Sequence, residues 1–229
     1  MLALQLQSLV VSFKGLSSPA LAIEQLAIPA GARVAVTGPS GSGKSTFVNL
    51  ITGLERPTGG RIVCGDTEIG TLSESGRDRW RGENVGLIMQ DFHLFPGMSA
   101  LDNILLPARL ARAMSLERMT RAHALLERVA LARPEQRVET MSRGEMQRVA
   151  VARALLRTPG IIVADEPTAS LDAGSGAAVG GLLLELAAEE GSTLIVISHD
   201  ARLTERLDRR ITLDAGRIQS DSGGPELHA

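Results

Sequence analysis

Residues 33–54 read RVAVTGPSGSGKSTFVNLITGL, and the order of residue types in this stretch sets the fold class. RVAVT is a short β-rich run that predicts a strand ending at Gly38. STFVNLITGL spaces its apolar residues as a helix does and stops at Gly53. Between them the sequence fits G-x-x-x-x-G-K-[ST] from Gly38 to Ser45. Glycines at these points let backbone N–H groups turn inward around phosphates, and the helix start adds partial positive charge. Gly38, Pro39, Ser40, Gly41, Ser42, Gly43 and Thr46 are therefore expected to cradle the phosphates of a nucleotide, Lys44 to reach the outer ones, and Ser45 to offer its hydroxyl to Mg²⁺. The loop fixes the ligand class and leaves a kinase-like, a GTPase-like and a transporter-like enzyme all open.

Working outward, LQLQSLVVSF and ALAIEQLAI upstream are strand-like, and the turn PAGA leads into the quoted stretch. Downstream, Pro57, Gly59 and Gly60 supply a turn, GGRIVCGDTEI predicts a strand pair, and NVGLIMQ predicts a buried strand ending at Gln90. From Ser99 to about Arg157 the pattern is helical. Ser99 has Asp102 three residues on, and Ser115 precedes a run that puts Leu116, Met119, Leu126 and Val129 on one face. Pro107 is expected to break the first of these helices. IIVA and STLIVIS are continuous apolar runs that predict central strands of a parallel sheet, with the helical GLLLELAAEE between them and the hairpin ITLDAGRI after them. Residues 220–229 are expected to form a loosely ordered tail.

The bulk composition narrows the function classes. A formal charge of −2 and 2% aromatics give little to attract phosphate backbones or stack bases, so no nucleic-acid partner is expected. The single Cys64 permits no internal disulfide, and the N-terminus lacks the basic and apolar regions of a signal peptide, which points to the cytoplasm. No apolar run reaches the roughly 18–20 residues of a spanning helix, so any membrane role is expected to come through a partner.

Further residues carry chemistry. IIVADEPTASLD ends a buried strand on Asp165 and Glu166, at the sheet edge where ligands bind. Asp165 suits a Mg²⁺ shell, and Glu166 suits orienting and deprotonating an attacking water. His199 and Gln90 close apolar strands in the same way, and Gln90 is placed to sense Mg²⁺ or water. In MSRGEMQRVAVARALL, Ser142 and Glu145 form a capping box before a helix. That capped start, with Gly144, is also an anion site whose position suggests the phosphate of a second molecule.

With these residues in order, the chain resembles the nucleotide-binding subunit of ABC transporters over nearly its whole length. GPSGSGKST resembles the Walker A loop, Gln90 the Q-loop, MSRGEMQ the signature, IIVADEP the Walker B strand, ASLD with Asp172 the D-loop, and ISHD with His199 the switch. The resemblance implies a single α/β domain over residues 1–229, a P-loop NTPase with a mostly parallel central sheet and an antiparallel β subdomain in residues 1–90 and 158–219, and an inserted α-helical subdomain in residues 91–157. It implies a head-to-tail homodimer that sandwiches ATP between the Walker A loop of one copy and Ser142 and Gly144 of the other. Phe13 would stack on adenine, in place of the usual tyrosine. A transmembrane permease would dock on the stretch that opens at Asp91 and closes at Pro107, with Phe92, Leu94, Phe95 and Met98 as contacts, on the inner face of the cell membrane. QDFHLFPGMSALDNILLPARLA is most similar to the branch of lipoprotein-releasing, macrolide-exporting and cell-division ATPases. Three positions depart from the pattern: Met141 stands for the signature's leucine, Arg143 for its first glycine, and Met146 for a glutamine. Arg143 either adds charge near a γ-phosphate or crowds it. Two other roles share these motifs: an ATPase that signals to a membrane partner without transport, and a DNA-repair ATPase, which would carry a coiled coil, zinc insertion or basic face that this sequence does not show.

Overall fold

The computed structural model describes residues 1–223. In chain order it forms β1 (Leu4–Val11), β2 (Leu21–Ile28), β3 (Arg33–Thr37), α1 (Lys44–Ile51), β4 (Gly59–Cys64), β5 (Thr67–Glu68), α2 (Glu74–Asn84) and β6 (Val85–Ile88). There follow α3 (Ala100–Leu110), α4 (Leu116–Arg128), α5 (Arg143–Leu155), β7 (Ile161–Asp165), α6 (Ala173–Glu189), β8 (Thr193–Ile197), α7 (Ala201–Thr204), β9 (Arg209–Asp214) and β10 (Arg217–Asp221).

Six strands make the main sheet in the order β10-β9-β3-β8-β7-β6, parallel except for the closing β9–β10 hairpin. Side chains on a strand alternate between faces, so a strand covered on both sides must be apolar at every position. The runs in β7 and β8 meet that demand. Ile161, Val163, Ile195 and Ile197 enter one core, with α1 and the smaller sheet. Ile162, Ala164, Leu194 and Val196 enter the other, with α3, α4, α5 and α6.

The smaller sheet, β2-β1-β4-β5, is antiparallel throughout. α1 is locked into the core it shares with this sheet: Phe47, Val48, Leu50 and Ile51 are all buried there. Burial of a side chain such as Phe47 contributes about 1.5–3 kcal/mol. The helix that begins at the phosphate loop is thus held rigidly beneath it.

The structure corrects several expectations. Helix α2 has no counterpart in the sequence reading, because only Arg77 and Trp80 of its 11 residues are buried and no apolar stripe marks it. It is held by the Ser73 cap on the Gly76 N–H, and by Arg77 and Arg81, which both donate to Gly53 O. Pro107 does not break α3, which continues to Leu110. The ring forfeits one bond to the Asn103 carbonyl, while Ile104, Leu105 and Ala108, fully buried, keep the helix on the core. Leu116 is 84% exposed, because the first turn of α4 overhangs solvent and the helix is anchored further on by Ala122, Leu125 and Leu126. β6 stops at Ile88, so Gln90 sits in the following turn. Ser220 and Asp221, expected in a loose tail, belong to β10, where Asp221 pairs with Arg209 at 2.5 Å. The rest of that expected tail from residue 224 onward lies outside the described residues.

Candidate active site

The loop between β3 and α1 depends on glycine at two points. Gly38 has φ +148°, and a Cβ there would lie 2.1 Å from Leu213 O. Gly43 has φ +98°, and a Cβ there would lie 2.9 Å from Ala20 O. No side chain caps α1 and its first turn holds no acid, so its leading N–H groups face outward for an anion. Lys44 folds back over the loop, donating from Nζ to Gly38 O at 2.7 Å and Pro39 O at 2.8 Å.

A cavity of about 470 Å³ opens beside this loop, bordered by Ser40, Gly41, Gly43, Lys44, Ser45, Thr46 and His199. Gly38, Pro39 and Ser42 belong to the same loop without bordering the cavity; Ser42 is 2% exposed. The remaining walls come from segments that sequence reading missed: Leu16, Ser18, Pro19 and Ala20 between β1 and β2, and Ala215 and Gly216 in the β9–β10 turn. The Ala22 N–H donates to Gly216 O at 2.7 Å, which ties these two distant segments together. No local pattern signals that meeting. Phe13 stands on the β1–β2 loop, 42% exposed, and is not among the residues that border the cavity.

The parallel strands deliver the acids to the same edge. Asp165 is the last residue of β7, paired with Ile197 of β8. Burial holds its carboxyl above the usual carboxylate range, the neighbouring Glu166 pushes the same way, and Lys44 opposes them. Glu166 adopts φ +47°, a left-handed conformation of the kind that functional sites retain. Its N–H donates to Ile197 O at 2.8 Å. Its carboxylate faces His199, with Oε1 3.3 Å from Nε2 and Oε2 accepting from the His199 N–H at 3.4 Å. Glu166 is mostly covered, at 17% side-chain exposure, whereas His199 is open at 59%. Gln90, exposed, lies two residues beyond Ile88, whose partner on β7 is Ala164, so it closes the adjacent strand edge.

Ser142, Gly144 and Asp172 do not border this cavity. Ser142 caps α5: its Oγ accepts from the Glu145 N–H at 3.3 Å, and Glu145 Oε2 accepts from the Ser142 N–H at 2.8 Å. Those bonds, the backbone one foremost, hold the Glu145 carboxyl below its usual range. Asp172 caps α6 through the N–H groups of Gly174 and Ser175, both at 3.0 Å. Of the expected permease contacts, Phe92 is buried and Leu94 packs on the core, because both sit beneath the helices; Phe95 is 52% exposed. Among the described residues no cluster of three or more histidine, cysteine or acidic side chains forms a metal cage.

The chain is similar to known proteins in sequence and in fold. The family model described as ABC transporter matches residues 23–169, a span that includes the phosphate loop, the Ser142 segment and Glu166. The chain belongs to the ABC transporter family. This ABC cassette is 40% identical over 195 residues to the lipoprotein-releasing system ATP-binding protein LolD of Pseudomonas fluorescens, covering 85% of this chain and 86% of that one. It is 41% identical over 192 residues to the same-named protein of Shewanella denitrificans, covering 83% and 82%. Its fold matches the dimeric ATP-binding cassette MJ0796 in a post-hydrolysis state bound to ADP and Pi, with TM-score 0.86, 34% identity, and coverage of 95% and 97%. The cassette is an ATP-binding, ATP-hydrolysing subunit that energises a membrane complex. No helix among the described residues is long and apolar enough to cross a membrane.

Proposed function

We propose that two copies of this cassette close head to tail on two ATP molecules and thereby drive a membrane complex that extracts or exports its substrate, as the kinship with lipoprotein-releasing subunits suggests. The observation that carries this reading is the one-sided site. The cavity is bordered by the phosphate loop and by His199, against which Glu166 packs; Ser142 and Gly144 lie away from it, and the Ser142 end of α5 is exposed. A second copy supplies the missing wall.

In this arrangement residues 38–46 hold the phosphates and Lys44 leaves its carbonyl partners for the outer phosphate oxygens. Glu166 takes a proton from the attacking water, and His199, against Glu166, positions that carboxylate and the γ-phosphate. Phe13 stacks on the adenine. Asp172, at the start of α6, contributes to the contact between copies. The donor chemistry suits Mg²⁺, which prefers a few hard oxygen ligands plus phosphates to an all-protein cage: Ser45, Asp165 and Gln90 would hold it. Once bound, the ion would neutralise phosphate charge.

The permease docks near residues 91–107, on the cytoplasmic side of the membrane. A groove of about 870 Å³ that reaches Pro107 supports this placement: Leu87 and Leu110 line it, and Arg79, Arg81, Arg153 and Arg157 outnumber Asp78 and Glu83 on its walls. A short amphipathic helix bearing acids fits its charge. Residues 91–157 then act as a helical subdomain that swings on the rest when ATP closes the dimer.

Glu166→Gln tests the reading. The variant is expected to bind ATP, lose turnover by about 10²–10⁴-fold, and shift to a dimer on adding ATP in light scattering. Turnover at the wild-type rate would remove Glu166 as the base, and a monomer with ATP bound would remove the sandwich.

A further inference from the structure

Arg143 opens α5 at a position where the family pattern has glycine. Its guanidinium carbon lies 5.7 Å from the centre of the Phe92 ring, within the reach of a cation–π contact. Phe92 is buried, and it belongs to the loop that follows Gln90 in the same chain. That loop is constrained: Phe92 and His93 in succession take φ of +59° and +48°, a region that residues with side chains seldom occupy. Arg153, further along α5, donates to both their carbonyls, at 2.7 Å to Phe92 O and 2.5 Å to His93 O. From α3, Asn103 Oδ1 accepts from the Phe95 N–H at 2.7 Å. Three side chains from two helices therefore grip three residues of the loop, Phe92, His93 and Phe95, and α5 supplies two of those side chains.

We propose that Arg143 is a positioning residue for ATP hydrolysis: through Phe92 it fixes the start of α5, with Ser142 and Gly144, to the loop after Gln90, and it is not a phosphate ligand. This rests on the reading that Ser142 and Gly144 face the nucleotide of a second copy. A glycine at residue 143 would leave Phe92 and His93 held to α5 through Arg153, ten residues further along the helix. With arginine there, a displacement of the loop by a docked partner reaches the phosphate-facing end of α5 directly. The contact places the guanidinium on a ring of its own chain.

A double-mutant cycle tests this on the whole chain. A cation–π contact at an exposed site is worth a factor of about 2–5 in an equilibrium or rate constant. Arg143→Gly and Phe92→Leu are each expected to lower kcat by that factor while leaving the KM for ATP unchanged, since the phosphate loop is untouched. The double variant is expected to be no slower than the slower single one, because both changes remove the same contact. Arg143→Lys should recover most of the rate, since an ammonium also sits over a ring, and Arg143→Gln should not. Additive losses, a raised KM, a gain in kcat for Arg143→Gly, or recovery by glutamine would each overturn the proposal. Should Phe92→Leu lower the melting temperature too far for assay, the lysine and glutamine pair decides alone. ATP-driven dimerisation of Glu166→Gln is measured in parallel. If it fails, the two-copy reading falls and this proposal with it; if it holds and the cycle is additive, only the role of Arg143 falls.

Discussion

Helices α1 and α5 begin in opposite ways. At α1 the preceding residue is Gly43, which has no side chain to give the leading N–H groups. At α5 it is Ser142, and a full capping box with Glu145 answers two of the donors, the Ser142 and Glu145 N–H groups, within the chain. Every helix start leaves such donors, and each must find a partner or remain in water. The uncapped start is therefore incomplete without an anion and sits in a cavity that can hold one. The capped start is stable without a ligand and stands exposed. On the proposed cycle this difference is useful: the first wall binds ATP strongly in a single copy, and the second waits, intact, until another copy brings its phosphate.

Breaking the uncapped side should have the largest effect. Lys44→Ala removes the charge that complements the phosphates, and nucleotide affinity is expected to fall on the order of a hundredfold, read by calorimetry on the isolated subunit. Near-normal affinity would show that the loop is not the nucleotide site. Ser142→Ala breaks the capped side and should cost about 1 kcal/mol of folding stability by denaturant titration. It should also slow turnover while leaving ATP affinity in the single copy unchanged. Loss of that affinity would place Ser142 in the first wall and erase the contrast between the helices.

The smallest effect is a pH dependence confined to α5. Glu145 is held below its ordinary value by the Ser142 N–H and hydroxyl. A carboxyl whose folded pKa is lowered contributes stability above its unfolded value, near 4.3, and loses it as pH falls through the folded one. The gap in melting temperature between wild type and Glu145→Gln should accordingly be present at pH 6 and narrow progressively below about pH 4. A gap independent of pH would mean that the box works by geometry alone.

The site's chemistry was legible where it is carried by neighbours in sequence. Gly38 and Gly43 are needed for their backbone angles, Lys44 and Ser45 follow at fixed spacing, and Asp165 and Glu166 end a run whose apolarity announces a buried strand. Helix α2 was not legible, because a capped polar helix anchored by Trp80 has no periodic stripe. Pro107 and Leu116 misled for the same reason in reverse: a local rule and an apolar residue pointed one way, and the packing of their helices on the core decided otherwise.

By itself, then, the sequence determined the ligand class, the order of the motifs and the alternation of strand and helix, because backbone angle, capping and hydrophobic period act over a few residues. Tertiary structure alone decided which far segments meet. It brought Leu16 and Gly216 to the phosphate loop, turned Glu166 onto His199 at 3.3 Å, and laid Arg143 over Phe92. Those contacts join residues tens to more than a hundred positions apart, and no short-range rule acts over that distance. They follow from how the two cores pack against the main sheet.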